Sequence, residues 1–115
     1  MERHIFLVGM PGSGKSALGR RVALKLQTPY LDTDTYLAEI TGMNTAQLYE
    51  TYGEAAFRDG ETRLLMELVS ATPGIISTGG GVALRPENRR LMRTHGYVVL
   101  IDRPIDDILM DIRAE

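Results

Sequence analysis

The octapeptide GMPGSGKS, residues 9–16, decides how the rest of the chain is interpreted. It follows an uninterrupted apolar run, Ile5–Val8, and leads into a helical pattern that begins near Lys15. Its glycines allow turns in which consecutive N–H groups face an anion, and the helix N-terminus behind them favours negative charge. The spacing GxxxxGK[ST] between a strand and a helix is typical of a phosphate-binding loop, in which Lys15 meets the phosphates and Ser16 offers a hydroxyl to Mg²⁺. A glycine-rich turn without chemistry is the alternative, and the flanking patterns argue against it.

The size and composition of the chain are those of one globular domain. It has 115 residues, of which 43% are hydrophobic and 24% charged. A net charge of -2 argues against a nucleic-acid binder. The absence of cysteine excludes disulfides and thiolate metal sites and is compatible with a reducing compartment. Because the N-terminal apolar run is too short for a signal peptide or a membrane span, we expect a cytoplasmic protein with no membrane partner.

Strand and helix patterns alternate along the chain. Strands are predicted at Ile5–Val8, Tyr30–Leu31, Ile75–Thr78 and Tyr97–Ile101. Helices are predicted over residues 15–27, through residues 36–40, from residue 44 through 49, over about 54–71, over 86–95 and from residue 104 onward. This alternation predicts right-handed crossovers and a mostly parallel sheet. The expected fold is therefore an α/β three-layer sandwich of the P-loop NTPase type, forming one domain over residues 1–115.

Three details concern the predicted helices. The first helix carries Leu18, Val22 and Leu26 at four-residue spacing, an apolar stripe that should lie against the sheet. Asn44 with Gln47 three residues later matches a capping box. Gly60 falls inside the fourth helix at a cost of about 1 kcal/mol relative to alanine, and the sequence offers no reason for it.

Three polar or glycine-rich segments each follow a predicted strand. They are the octapeptide at residues 9–16, Asp32-Thr33-Asp34 and Gly79-Gly80-Gly81. In open parallel sheets, ligands bind at the carboxyl ends of the strands. We therefore expect all three segments to line one crevice.

The two aspartates are candidates for metal binding and for orienting a substrate. If the segment is extended, residues two apart point the same way, so Asp32 and Asp34 both face the phosphate loop. One would hold Mg²⁺ through water, and the other would accept a hydrogen bond from a substrate hydroxyl during in-line attack on a γ-phosphoryl group. The alternative for either residue is a cap on the following helix.

Other residues carry a functional and a structural interpretation side by side. Arg58 can grip a carboxylate in bidentate fashion, or it can pair at the surface with Glu54 or Glu61. The triple glycine can bring backbone amides close to a ligand, or it can be a turn without one. A solvated helix face is the favoured account of three arginines, Arg85, Arg89 and Arg93. His4 and His95 have no sequence partner that suggests a metal or a base, and both are interpreted as structural.

The order and separation of four motifs resemble the shikimate kinase family. The motifs are the phosphate loop, Asp32-Thr33-Asp34, Phe57-Arg58 and Gly79-Gly80-Gly81, and the resemblance runs from Ile5 to about Arg113. It implies ATP-dependent phosphorylation of the 3-hydroxyl of shikimate, in the pathway to aromatic amino acids, on a fold like that of nucleoside monophosphate kinases. It also implies ATP and Mg²⁺ as cofactors, and we expect a monomer with shikimate as its small-molecule partner.

The same resemblance assigns roles residue by residue. Lys15 would contact the transferred phosphate, and Asp34 would bind the shikimate hydroxyls and take the proton. Arg58 would bind the shikimate carboxylate. The residues that would bind the nucleotide are Gly12, Ser13, Gly14, Lys15, Ser16 and Ala17. Those that would bind Mg²⁺ are Ser16 and Asp32. Those that would bind the substrate are Asp34, Arg58, Gly79, Gly80 and Gly81.

Members of that family continue beyond the last predicted helix into a lid with a phosphate-binding arginine and then an adenine-binding loop. We therefore expect the domain over residues 1–115 to be incomplete at its C-terminal end, with Arg113 near the lid's edge. Two alternatives to shikimate phosphorylation stay open. One is a kinase of another small acceptor, such as gluconate or a nucleotide, and the other is a nucleotide-binding module without catalysis.

Overall fold

The computed structural model describes residues 3–9 and 13–101, and its helices and strands alternate. The strands are β1 (His4–Gly9), β2 (Tyr30–Asp32), β3 (Ile75–Ser77) and β4 (Gly96–Ile101). The helices are α1 (Lys15–Leu26), α2 (Thr33–Thr41), α3 (Thr45–Tyr52), α4 (Glu54–Val69) and α5 (Pro86–His95), with a short 3₁₀ helix at Val82–Leu84. The helix predicted from Pro104 onward and the position of Arg113 lie outside the described residues.

The four described strands form one parallel sheet in the order β2-β3-β1-β4. Phe6 on the inner strand β1 pairs with Ile76 on one side and with Val98 on the other. Parallel neighbours require crossovers, and the helices between the strands supply them. The predicted α/β fold with a parallel sheet is confirmed.

Helices cover both faces of this sheet. On one face α1 packs over a small cluster built on Leu7, Ala23 and Ile75. On the other face a larger cluster joins the sheet to α4, α5 and the 3₁₀ helix. Its buried members are Phe6, Val8, Leu65, Ile76, Val82 and Met92. Burial on both faces explains why the inner strands β1 and β3 are mostly apolar, whereas the middle of the edge strand β4 is exposed.

The expected apolar stripe of α1 is only partly right, because Val22 packs against the Leu7 cluster and Leu18 is half-buried but Leu26 is not buried. The residues of α1 that are buried are Gly19 and Ala23, whereas Leu26 is 52% exposed. A Cβ on Gly19 would lie 2.6 Å from Cε1 of Tyr30, so the helix sits too close to the sheet for a larger residue there. Close approach therefore favours small residues at the centre of the buried face, and Val22 of the predicted stripe lies at its side.

Local signals place the helix ends of the middle segment correctly. Asp32 caps α2, because its Oδ1 accepts a hydrogen bond from the Thr35 N–H at 3.1 Å. The Asn44 and Gln47 capping box of α3 is confirmed, with both reciprocal hydrogen bonds at 2.8 Å. None of the helices in the described ranges is both long and apolar enough to cross a membrane.

His4 is a buried titratable group at the amino end of the sheet. It is 3% exposed, its ring lies 5.6 Å from that of Phe6, and its Nδ1 accepts a hydrogen bond from the Gly74 N–H at 3.4 Å. Burial lowers the pKa of His4 below its ordinary value of 6.5, although backbone carbonyls nearby partly oppose this. The folded chain therefore holds a neutral imidazole here.

We expect the protein to lose stability as the pH falls below about 6.5, the ordinary pKa of the imidazole. In that range the unfolded chain binds the proton that folded His4 excludes, so the free energy of unfolding decreases as the pH decreases. Urea unfolding at several pH values between 5 and 8 measures this slope. His4→Gln should flatten it, while His95→Gln, at an exposed histidine whose charge is a smaller cause of the lowered His4 pKa than burial, should leave most of it. An unchanged slope in His4→Gln would contradict the assignment.

Candidate active site

The carboxyl ends of β1, β2 and β3 meet at one edge of the sheet, and the three predicted segments touch there. Ser16 Oγ donates a hydrogen bond to Asp32 Oδ2 at 2.6 Å, which joins the phosphate loop to the start of α2. The Gly79 N–H donates to Thr33 Oγ1 at 2.8 Å, which joins α2 to the triple glycine. Ser77 Oγ donates to the Lys15 carbonyl at 3.3 Å, which joins the end of β3 to the start of α1.

The loop before α1 has the backbone geometry of an anion site. Gly14 adopts φ 87 and ψ 10 in the left-handed region, where glycine carries no steric penalty, and α1 begins at the next residue, Lys15. Ser13 is 6% exposed, and its Oγ has no hydrogen-bond partner within residues 3–9 and 13–101. A buried hydroxyl that finds no partner in the described part of the chain, beside a helix N-terminus, suits an anionic ligand. Gly12 lies outside the described residues, and Ala17 is exposed in the first turn of α1.

Asp32 is a helix cap, which was the structural alternative, and its second oxygen faces the phosphate loop. Its Oδ1 caps α2 at the Thr35 N–H, and its Oδ2 accepts from Ser16 Oγ. The pair presents two hard oxygen donors at the mouth of the loop. The described part of the chain contains no cluster of three or more histidine, cysteine or acidic residues placed to hold a metal. Mg²⁺ needs no such cage, because it is usually held by one or two protein oxygens together with phosphate and water.

Asp34 is not in an extended segment, so the argument that predicted its direction is wrong. The helix α2 begins at Thr33, and Asp34 lies in its first turn. Its carboxylate still reaches the site, because a Cβ built on Gly79 would fall against Asp34 Oδ1. Burial raises the pKa of Asp34 above its usual 3.8 and the charge of Asp32 adds to this, while Lys15 and Arg58 act in the opposite direction.

Arg58 projects from α4 toward the same edge. Its Nη1 donates to Glu61 Oε1 at 2.7 Å, and the carbon of its guanidinium lies 5.5 Å from the centre of the Tyr49 ring. The pair with Glu61 is the one that the sequence suggested, but it is not a surface pair, because the Glu61 side chain is 1% exposed. Burial disfavours the Arg58 charge, yet the hydrogen bond and charge of Glu61 outweigh it, so the pKa of Arg58 is raised.

Glu61 is a buried acid that sequence analysis placed at the surface. Burial raises the pKa of Glu61, although the hydrogen bond and charge of Arg58 oppose this. A buried carboxylate is tolerated because the guanidinium is held against it. Glu61 therefore fixes the position of Arg58, and the only sequence signal for this was its place one helical turn after Arg58.

Two residues of the triple glycine, Gly79 and Gly81, leave room for side chains of the protein itself. A Cβ on Gly79 would collide with the Asp34 carboxylate, and a Cβ on Gly81 would collide with the Arg58 guanidinium. Gly80, between them, is exposed. From the sequence, these glycines indicated either the approach of a ligand or a turn without one. The structure adds that Gly79 and Gly81 admit Asp34 and Arg58 to the two sides of the turn.

The other features near this edge are a cavity and the arginines and histidine that the sequence singled out. A cavity of about 280 Å³ lies beside the turn, lined by residues of β1, the glycine turn and β4. Of the three arginines expected on a solvated face, Arg89 and Arg93 are exposed, whereas Arg85 pairs with Asp59 Oδ1 at 2.8 Å. His95 is exposed as well. Arg85 directly precedes α5, and its charge acts on the buried Glu61.

Comparison with known proteins identifies the family. The family model described as shikimate kinase matches residues 11–115. The chain belongs to the shikimate kinase family. A shikimate kinase of Enterococcus faecalis is 43% identical over 111 residues, which are 96% of this chain and 66% of that protein. A shikimate kinase of Rhodopseudomonas palustris is 38% identical over 112 residues, 97% of this chain and 55% of that protein.

Solved structures of shikimate kinases share the fold. Shikimate kinase from Acinetobacter baumannii in complex with shikimate has a TM-score of 0.84 at 36% identity, covering 90% of this chain and 58% of that one. Shikimate kinase from Aquifex aeolicus has a TM-score of 0.82 at 35% identity, covering 92% of this chain and 63% of that one. The chain spans less than two thirds of the length of these curated relatives and solved structures.

We predict that Gly81→Ala moves Arg58. The new methyl group occupies the place of the guanidinium, which must shift and weaken its pair with buried Glu61. We expect a loss of about 1 to 3 kcal/mol in the free energy of unfolding, measured with urea. Gly60→Ala is the control, because its Cβ meets nothing within 4 Å inside α4, and it should stabilise the protein by up to about 1 kcal/mol. Equal stability of Gly81→Ala and wild type would contradict this placement of Arg58.

Proposed function

We propose that this chain forms the catalytic core of an enzyme that transfers the γ-phosphoryl group of ATP to the 3-hydroxyl of shikimate, a step in aromatic amino acid biosynthesis. The observation that carries the proposal is the placement of Asp34 and Arg58 on the two sides of the Gly79–Gly81 turn, beside the phosphate loop. Membership of the shikimate kinase family supports it.

The acceptor side of the site suits a hydroxylated carboxylic acid. Arg58 donates a hydrogen bond to Glu61 through Nη1. Because a guanidinium has five N–H donors in a planar fork, other donors remain for a substrate carboxylate. Asp34 supplies an oxygen acceptor for a hydroxyl group across the turn. Gly80, which is exposed between Gly79 and Gly81, offers its backbone N–H as a hydrogen-bond donor to the substrate. One cation, one carboxylate and a backbone donor match the groups of shikimate.

The donor side of the site suits a triphosphate. In this proposal the segment Gly12–Ala17 holds the phosphates of ATP through backbone N–H groups, and Lys15 contacts the group being transferred. The left-handed Gly14 and the buried hydroxyl of Ser13 support this assignment. Mg²⁺ would be held by Ser16 and, through water, by Asp32, and when bound it neutralises charge on the phosphate oxygens.

The reaction needs positioning more than covalent help. The 3-hydroxyl oxygen bonds to the γ-phosphorus in line as the bond to the bridging oxygen of ADP breaks. Asp34 orients the hydroxyl and accepts its proton, and the raised pKa of this carboxyl makes it a better base than an exposed aspartate. Arg58, held by Glu61, fixes the far end of the acceptor, so the attacking oxygen stays near Asp34.

We propose further that the protein acts as a monomer in the cytoplasm, with a small-molecule substrate and no nucleic-acid or membrane partner. The net charge of -2 argues against nucleic acid, and the absence of cysteine is compatible with a reducing compartment.

The decisive experiment is a coupled assay of ADP release by the full-length gene product with shikimate, gluconate and nucleoside monophosphates offered separately. We expect release that depends on shikimate. Lys15→Ala should lower kcat at least about a hundredfold because it removes charge stabilisation of the transferred group, while Lys25→Ala, exposed on the same helix, should not. Release with another acceptor, or ATP binding without release, would replace the proposal with one of the two alternatives.

Arg58→Ala tests the carboxylate role. We expect KM for shikimate to rise about a hundredfold and KM for ATP to change less than about threefold, because one charge-assisted contact to the acceptor is lost. Steady-state kinetics with each substrate varied in turn measures both constants. Arg63→Ala, at an exposed arginine of α4, is the matched control. Equal losses for both substrates would count against the assignment.

A further inference from the structure

One buried hydroxyl at the site is not used by the proposed chemistry. Thr33, the first residue of α2, is 3% exposed and lies between the two aspartates in sequence. Its Oγ1 accepts a hydrogen bond from the Gly79 N–H at 2.8 Å. This bond ties the first turn of α2, which carries Asp34, to the entrance of the glycine turn.

A second buried side chain holds the exit of the same turn. Asn88 on α5 is 1% exposed, and its Nδ2 donates to the Val82 carbonyl at 2.9 Å. Its Oδ1 accepts from Thr62 Oγ1 at 2.9 Å, and Thr62 lies one helical turn after Arg58 on α4. The exit is therefore tied to the helix that carries Arg58, and the entrance to the helix that carries Asp34.

These two attachments divide the backbone donors of the turn. The Gly79 N–H is taken by Thr33 and is not available to a ligand. Within residues 3–9 and 13–101, no side-chain or backbone acceptor is recorded for the N–H groups of Gly80 and Gly81. The donors left for an acceptor molecule are therefore those in the middle of the turn, between the two attached ends.

We propose that Thr33 is a positioning residue for the phosphoryl acceptor. Its hydroxyl oxygen fixes Gly79 and thereby sets how far the Gly80 N–H lies from the Asp34 carboxylate. The inference rests on the proposed function, since it concerns how the same turn presents its donors to shikimate. Thr33 touches neither substrate, and it acts through the turn.

The side chain has the features that this role requires. The hydroxyl oxygen is an acceptor at a buried position, so its removal leaves the Gly79 N–H without a partner and the turn free to move. Valine keeps the shape of threonine and removes the acceptor, whereas serine keeps the acceptor and removes the methyl group. The pair Thr33→Val and Thr33→Ser therefore separates the hydrogen bond from packing.

The test uses the full-length gene product and two readouts. The first is steady-state kinetics, in which Thr33→Val should raise KM for shikimate about tenfold, the effect of one lost buried hydrogen bond, and leave KM for ATP within about twofold. Thr33→Ser, which keeps the acceptor oxygen, should leave KM for shikimate close to the wild-type value. Thr35→Val, at an exposed threonine of α2, is the matched control. The second is amide hydrogen exchange by NMR, in which the Gly79 N–H should exchange faster in Thr33→Val.

The outcomes separate this inference from the proposed function. Wild-type KM for shikimate in Thr33→Val, unchanged exchange at Gly79, or equal increases of both KM values would each overturn the positioning role. If wild type releases no ADP with shikimate, the proposed function fails. Faster exchange of the Gly79 N–H in Thr33→Val then still supports its hydrogen bond to Thr33. The KM values for acceptor and for ATP are then compared with the acceptor that does support ADP release. Asn88→Asp, which keeps an oxygen for Thr62 and loses the donor to Val82, extends the test to the exit of the turn.

Discussion

Parallel pairing of β3 with both β1 and β2 is the constraint on which the site depends. Ser77, the last residue of β3, pairs with Leu7 on one side and with Asp32 on the other, and it is fully buried. Its hydroxyl accepts from the Tyr30 hydroxyl at 3.0 Å and donates to the Lys15 carbonyl. A three-residue strand thus aligns the phosphate loop, the start of α2 and the glycine turn. A shift of one residue in either pairing would turn every side chain of β3 to the opposite face.

Charge is distributed in this site so that no carboxylate is isolated. Asp32 meets the hydroxyl of Ser16, Asp34 lies within the fields of Lys15 and Arg58, and buried Glu61 meets Arg58 directly. The positive groups come from two different helices, α1 and α4, and the acidic groups come from the end of β2, from α2 and from α4. The electrostatic balance therefore depends on the helices keeping their places on the sheet, which links the stability of the core to the chemistry of the edge.

Features set by a few neighbouring residues could be predicted from the sequence, and features set by packing could not. The capping box of Asn44 and the start of α5 at Pro86 are local, and both were predicted. The parallel sheet followed from alternation, and the convergence of the segments after β1, β2 and β3 followed from the sheet. The buried face of α1 at Gly19, however, depends on how closely the helix approaches Tyr30. Likewise, nothing near Glu61 in the sequence marks it as buried.

The location of His4 affects how acid acts on the whole molecule. It lies where β1 begins, at the far end of the sheet from Asp34. The pKa of His4 is lowered from its ordinary value, whereas the pKa of Asp34 is raised. Lowering the pH charges one group that supports folding and neutralises another that would take part in turnover. In the proposed mechanism, an acid limb in the rate profile would combine loss of folded molecules with protonation of the proposed base Asp34. Its two components arise at opposite rims of one β-sheet.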